Sequence, residues 1–112
     1  MSMGALTTAA EDRPLRLRRR PDLTIQTSAF QQEKSWIIKD PISLEYRRLR
    51  EAEYAVFAML DGQSTLRMIR ETLQTKYPTK KVRLADLQNL LSTFHRMGLV
   101  ISDAPGQATQ LL

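Results

Sequence analysis

His95 is the only histidine in the 112 residues, and there is no cysteine. The residue types that most often do covalent or metal chemistry are therefore nearly missing. One His cannot build a two-His metal site, and without Cys there is no thiolate nucleophile, thiolate ligand or disulfide. A single His near the end of a helix is more often structural or solvated than catalytic, and no Ser-His-Asp arrangement can be specified around it. Four glycines, none of them clustered, leave no Gly-rich phosphate loop. Glu51 and Glu53 are two residues apart, a spacing that does not place side chains together on a helix, so the plainer reading is a solvated pair. Met59, Met68 and Met97 fit core filling better than a binding surface. The residues thus predict a chain that is not an enzyme and holds no metal or cofactor.

Charge is the next chemical signal. The net charge is +5. Residues 1–20 hold five Arg (13, 16, 18, 19 and 20) against Glu11 and Asp12, leaving +3; the remaining 12 basic and 10 acidic residues leave +2. The run "RPLRLRRR" could meet phosphate or an anionic membrane surface. A solvated, flexible arm ahead of the fold is the simpler expectation.

The elements that position these residues are legible from periodicity. Residues 1–20 have none and read as a disordered basic tail; residues 21–103 form one folded domain; residues 104–112 ("APGQATQLL") read as a second flexible tail. "LTIQTSAF" alternates with period two, with Leu23, Ile25 and Thr27 on one face, and predicts a strand. "QQEK" is a polar turn. "SWIIKD" is a second strand with Trp36 and Ile38 on one face, hairpin-paired with the first. Asp40-Pro41 is a turn. "ISLEYRRL" alternates again, with Leu44 and Tyr46 sharing a face, and predicts a short third strand.

The period then changes to helical. Ala52, Ala55, Val56, Met59 and Leu60 mark a first helix ending at Asp61-Gly62, with Gly62 expected as its left-handed cap. Ser64 is the expected N-cap of a second helix with Leu66, Ile69 and Leu73 inward; Pro78 stops it. Leu84, Leu87, Leu90, Leu91 and Phe94 mark a third, ended by Gly98. "LVIS" is a last short strand. The fold class is α+β, with a winged-helix-like order: a small three-stranded N-terminal sheet packed on three helices, with a short C-terminal strand. No apolar run approaches the roughly 20 residues of a membrane span, and the start does not resemble a secretion signal. A cytoplasmic location is the default.

Two binding readings survive. In the first, the third helix reads DNA. Its solvent side would offer Asp86, Gln88, Asn89, Ser92, Thr93, His95 and Arg96. Only Arg83 and Arg96 could meet phosphate, which is thin for a nucleic-acid surface. In the second, the exposed edge of the small sheet takes up an extended peptide. The third strand carries Arg47 and Arg48, with Arg50 just after. That charge would either guard the edge against aggregation or select an acidic peptide.

The segments "KDP", "YRRL", "LDG" (Leu60-Asp61-Gly62), "STLRMI" and "GLV", in that order, resemble the pyrroloquinoline-quinone biosynthesis protein D-like family. That family includes the leader-peptide recognition elements of peptide-modifying enzymes. The resemblance covers about residues 21–102. The stretch "WIIKDPISLEYRRL" is similar to N-terminal domains of bacterial site-2-protease-like zinc metallopeptidases and hemolysin-D-type secretion proteins. The resemblance implies a winged-helix-like, peptide- or protein-binding domain that accepts a peptide as an added strand between its third strand and third helix. By position, the groove would involve the backbone of Ser43, Leu44, Glu45, Tyr46, Arg47 and Arg48 and the side chains of Gln88, Leu91, Ser92 and His95. The zinc-binding His-Glu motif of the metallopeptidases is not in this sequence, so their catalysis does not carry over. The resemblance also allows the chain to be the cytoplasmic domain of a longer membrane protein.

Overall fold

The computed structural model describes residues 10–102. The chain is α+β. Five strands, β1 (Leu17–Arg19), β2 (Thr24–Phe30), β3 (Glu33–Lys39), β4 (Tyr46–Arg50) and β5 (Val100–Ser102), combine with three helices, α1 (Glu51–Ala58), α2 (Leu66–Lys76) and α3 (Leu84–Arg96). Strands β2, β3 and β4 form one antiparallel sheet in that order, and β1 pairs with β5 in a second.

The β2–β3 hairpin follows the alternation of its sequence, rich in Thr and Ile. Its loop is two residues, Gln31 and Gln32, with φ of 53° and 67°. Two consecutive left-handed residues are what the right-handed strand twist requires of so tight a hairpin, and Asn-Gly adopts them with less strain than Gln-Gln. The next turn is held by Asp40. Its Oδ1 accepts the N–H groups of Ile42 (2.8 Å) and Ser43 (3.3 Å), its carbonyl accepts from Leu44 (2.8 Å), and its own N–H donates to the Glu45 carbonyl (3.0 Å). Leu44 has φ of 63°. Residues 41–45 are therefore a closed loop, and the third strand of the sheet begins at Tyr46 rather than near Ile42. The alternation of Ile42, Leu44 and Tyr46 continues through this loop with all three side chains exposed.

Helix α1 starts where the Glu53 carboxylate accepts the Arg50 N–H (2.8 Å). Its buried face is Val56 and Phe57, continued by Leu60, with Ala55 and Met59 packed against the core; of the expected stripe only Ala52 is exposed, and Phe57 widens it. Gly62 (φ 83°) does not cap α1, whose C-cap is Met59. It belongs instead to a turn in which Asp61 Oδ1 accepts the N–H groups of Gln63 and Ser64, both at 2.9 Å. The N-cap of α2 is Thr65, whose hydroxyl accepts from the Met68 N–H (3.1 Å), rather than Ser64. Leu66, Ile69 and Leu73 are buried, and α2 stops before Tyr77-Pro78 as the sequence requires. Helix α3 buries Leu87, Leu91 and Phe94. It closes with paired bonds from the Gly98 N–H to His95 (3.1 Å) and the Leu99 N–H to Phe94 (3.0 Å), with Gly98 at φ 73°.

One core joins all layers. Leu60, Leu66, Ile69, Leu87, Leu91 and Phe94 share it with Ile38, Leu49, Val56, Phe57, Leu73, Leu99 and Val100. An aromatic run crosses from sheet to helices: Trp36 stacks on Tyr54 (4.6 Å between centroids), and Phe57 meets Phe94 edge-on (5.5 Å).

The N-terminal segment departs most from expectation. Residues 10–20 are part of the fold, not a tail; the remainder of the expected tails, residues 1–9 and 104–112, lies outside the described residues, as does Asp103 at the end of the expected domain. β1 is bonded along both edges. On one side it pairs with β5; on the other, the Arg19 N–H donates to the Leu60 carbonyl (3.1 Å) and the Gly62 N–H donates to the Leu17 carbonyl (3.0 Å). Leu15 and Leu17 pack against the core. The alternation Leu15, Leu17 in "PLRLR" is the strand signal, masked by the arginines between. Further upstream, Arg67 on α2 is ion-paired with Glu11 and Asp12.

At the end of β1, Arg20 makes a five-bond clasp. It donates to Asp40 (2.7 and 3.1 Å), to Asp22 (2.7 and 3.1 Å) and to the Gly98 carbonyl (3.0 Å). Those hydrogen bonds, with help from the Ile42 and Ser43 N–H groups, hold the Asp40 carboxyl well below the usual carboxylate range.

Three outcomes test this fold. Leu87 is 3% exposed, and Leu87→Ala should lower the unfolding free energy by about 2–5 kcal/mol in a denaturant titration. Replacing Gln31-Gln32 by Asn-Gly should raise stability by about 1 kcal/mol, read as a higher urea midpoint with unchanged slope. Because Asp40 is more acidic folded than unfolded, its contribution is complete above the unfolded value near 3.9 and is lost as pH falls through the folded one. The melting temperature of the native chain should therefore drop below about pH 4. Asp40→Asn should melt lower at neutral pH and show a shallower acid limb.

Candidate functional site

The order β2-β3-β4 makes β4 an edge strand. Which of its backbone groups reach outward follows from the ladder. In an antiparallel pair, opposed residues alternate between exchanging hydrogen bonds and directing their backbone groups away from each other. The Asp40 N–H to Glu45 carbonyl bond sets the phase. With Ile38 opposite Arg47 and Trp36 opposite Leu49, Arg47 and Leu49 bond to β3. Tyr46, Arg48 and Arg50 then direct their N–H and C=O groups to the open side. The Arg50 N–H is taken by Glu53, as this phase requires. Tyr46 and Arg48 remain as the two edge residues, together offering two donors and two acceptors at the spacing of a strand.

The side chains divide by the same alternation. Leu49 is buried and Arg47 half-buried, on the face toward the helices; Tyr46, Arg48 and Arg50 are exposed on the other face. Lys39, opposite Tyr46, places its ammonium over the phenol ring (5.6 Å). Glu45 pairs with Arg47 (2.5 Å), and among the described residues Arg48 and Arg50 form no ion pair, leaving positive charge beside the edge. Ile42, Leu44 and Tyr46 are 79%, 65% and 61% exposed, an apolar margin continuous with the strand.

Of the residues assigned from sequence, Tyr46, Arg47 and Arg48 lie on this strand, while Ser43, Leu44 and Glu45 lie in the preceding loop. The Glu45 N–H is directed at the Ser43 hydroxyl (3.2 Å) and its carbonyl at Asp40, so neither faces an incoming strand. The residues assigned to α3 group elsewhere. Leu91, Ser92 and His95 line a hollow of about 340 Å³ together with Leu17 of β1 and Arg96. Gln88 is exposed one turn earlier on α3 and is not part of that lining. Sequence reasoning missed Leu17, and named Arg96 only for the DNA reading, because the partner of this helix face is β1, a strand it did not foresee.

Among the described residues, no group of three or more His, Asp or Glu side chains could hold a metal ion. No helix there is long and apolar enough to cross a membrane. The chain matches no protein-family model, no curated protein and no solved structure.

Proposed function

We propose that this chain is a non-catalytic binding module that takes up an extended, acidic peptide along the open edge of β4. The observation that carries the reading is the pair of outward-facing edge residues, Tyr46 and Arg48, beside uncompensated Arg48 and Arg50 side chains and the exposed Ile42, Leu44 and Tyr46. An added strand takes affinity from backbone hydrogen bonds and selectivity from alternate side chains. Here the alternate side chains would meet phenol, guanidinium and guanidinium in turn. The resemblance to leader-peptide recognition domains points to the same strand and supplies the winged-helix-like description and the cytoplasmic setting, free-standing or ahead of a membrane segment. The α3 residues are a weaker part of the reading, because Leu91, Ser92 and His95 look onto β1. DNA binding is the second reading. The exposed positions of α3 carry one Arg, one His and one Asp among Ala, Gln, Asn and Ser, little charge with which to meet a phosphate backbone.

The test uses β-prone peptides of alternating Glu and Val, titrated into isotope-labelled protein. Amide shifts should follow residues 46–50. Arg48→Pro removes an outward donor without breaking a bond to β3, so affinity should fall by about tenfold or more with the fold retained. Glu45→Pro should instead unfold the turn, because Leu44 ahead of it holds a left-handed conformation that a following Pro opposes. Shifts confined to Leu17 and residues 91–96 would overturn the β4 reading.

A further inference from the structure

The three-stranded sheet has a second open edge, β2, and it is unlike the first. Residues Thr24–Phe30 ("TIQTSAF") contain no charged residue and no Pro, and among the described residues β2 is paired only to β3. Edges are ordinarily protected by charge, Pro or a bulge. β4 follows that rule with Arg47, Arg48 and Arg50; β2 does not. Its side chains are exposed on both faces apart from a half-buried Ser28, and Phe30 at its end is 69% exposed.

The outward groups of β2 can be derived twice. The two-residue loop closes on a hydrogen-bonded Phe30–Glu33 pair. Alternation then assigns Ser28, Gln26 and Thr24 to the ladder with β3, and Ala29, Thr27 and Ile25 to the open side. Independently, the Asp40–Glu45 bond directs Ile38 and Trp36 toward β4, which leaves Ile37 and Ser35 to bond β2. Their partners are Gln26 and Ser28, so the two derivations agree.

We infer that β2 is a self-association edge: two copies of the chain pair antiparallel through β2 about a two-fold axis at Thr27, giving a continuous six-stranded sheet. In that register Thr27 faces its own counterpart and Ile25 faces Ala29 of the second copy. Every outward N–H and C=O of Ile25, Thr27 and Ala29 then finds a partner. On the other face Gln26 lies opposite Ser28 and Thr24 opposite Phe30. No pair places like charges together. The corresponding two-fold pairing of β4 would set arginine against arginine and is disfavoured. Assembly therefore closes at two copies, with the basic β4 edges at the ends of the joined sheet.

Sedimentation equilibrium tests this on the whole chain. The mass should rise from the 12.9 kDa of one chain toward twice that value between about 10 µM and about 1 mM, the range fitting a small edge interface. Thr27→Lys and Thr27→Glu change an exposed position; each alone should remain at single-chain mass over that range. An equimolar mixture of the two should regain the dimer, since opposite charges then meet at the axis. Arg48→Pro should dimerise as the native chain does. A native chain that stays at single-chain mass throughout, a Thr27→Lys chain that dimerises undiminished, growth beyond two copies, or loss of the dimer in Arg48→Pro would each overturn the assignment.

Discussion

Arg20 is the point at which the sheet, the helices and the N-terminal strand are held in one arrangement. Its guanidinium takes Asp40 bidentately, reaches Asp22 beside it, and donates to the carbonyl of Gly98 at the end of α3. Asp40 is committed on its other side as well, to the N–H groups that shape the loop leading into β4. One half-buried ion pair therefore sets where β4 begins and where α3 ends. Burying such a pair carries a desolvation penalty. The arrangement stands because every donor and acceptor is used in good geometry. Removing Arg20 would leave the Asp40 carboxylate charged, largely covered from water and without its ion-pair partner, whereas removing Asp40 would leave Arg20 with Asp22 alone as its counter-charge.

Much of this architecture is legible in the sequence, and the parts that are not have specific causes. The stripes of α2 and α3 are plain because Leu and Ile recur at helical spacing with polar residues between. The β2–β3 hairpin is plain because its residues alternate around a polar turn. β1 was hidden by composition: five of the eight residues 13–20 are Arg, and charge density reads as a solvated arm. Its order depends on contacts with Leu60, Gly62 and β5, none of which is local. The start of β4 was misplaced because Ile42, Leu44 and Tyr46 keep a period of two through a loop whose shape is dictated by the Asp40 side chain. Phe57 escaped the α1 stripe because a short helix of Ala and Glu offers little periodicity to phase.

The candidate site was legible to the same degree as its strand. Tyr46, Arg47 and Arg48 could be named from the "YRRL" alternation and its charges. Their division into inward and outward groups could not, since the phase of the ladder rests on one backbone bond between Asp40 and Glu45. The face of α3 could not be assigned at all without β1. The two open edges of the sheet are thereby distinguished by chemistry alone: one cationic with an aromatic residue, the other neutral and rich in β-branched and small residues.

The clasp also has a consequence for the order in which the molecule is built. Arg20 and Gly98 are 78 positions apart, and β1 cannot complete its pairing until β5 has been synthesised. The hairpin and the contacts of α1 with β3 and β4 join neighbouring stretches and can form while the chain is still emerging. The Leu15–Arg20 segment must wait for almost the whole described chain to follow it. During translation the side of β1 that β5 will occupy therefore stays open, and Arg20 lacks its bond to the Gly98 carbonyl. Completion of the fold is a late, long-range closure between a strand made early and one made near the end of the described residues.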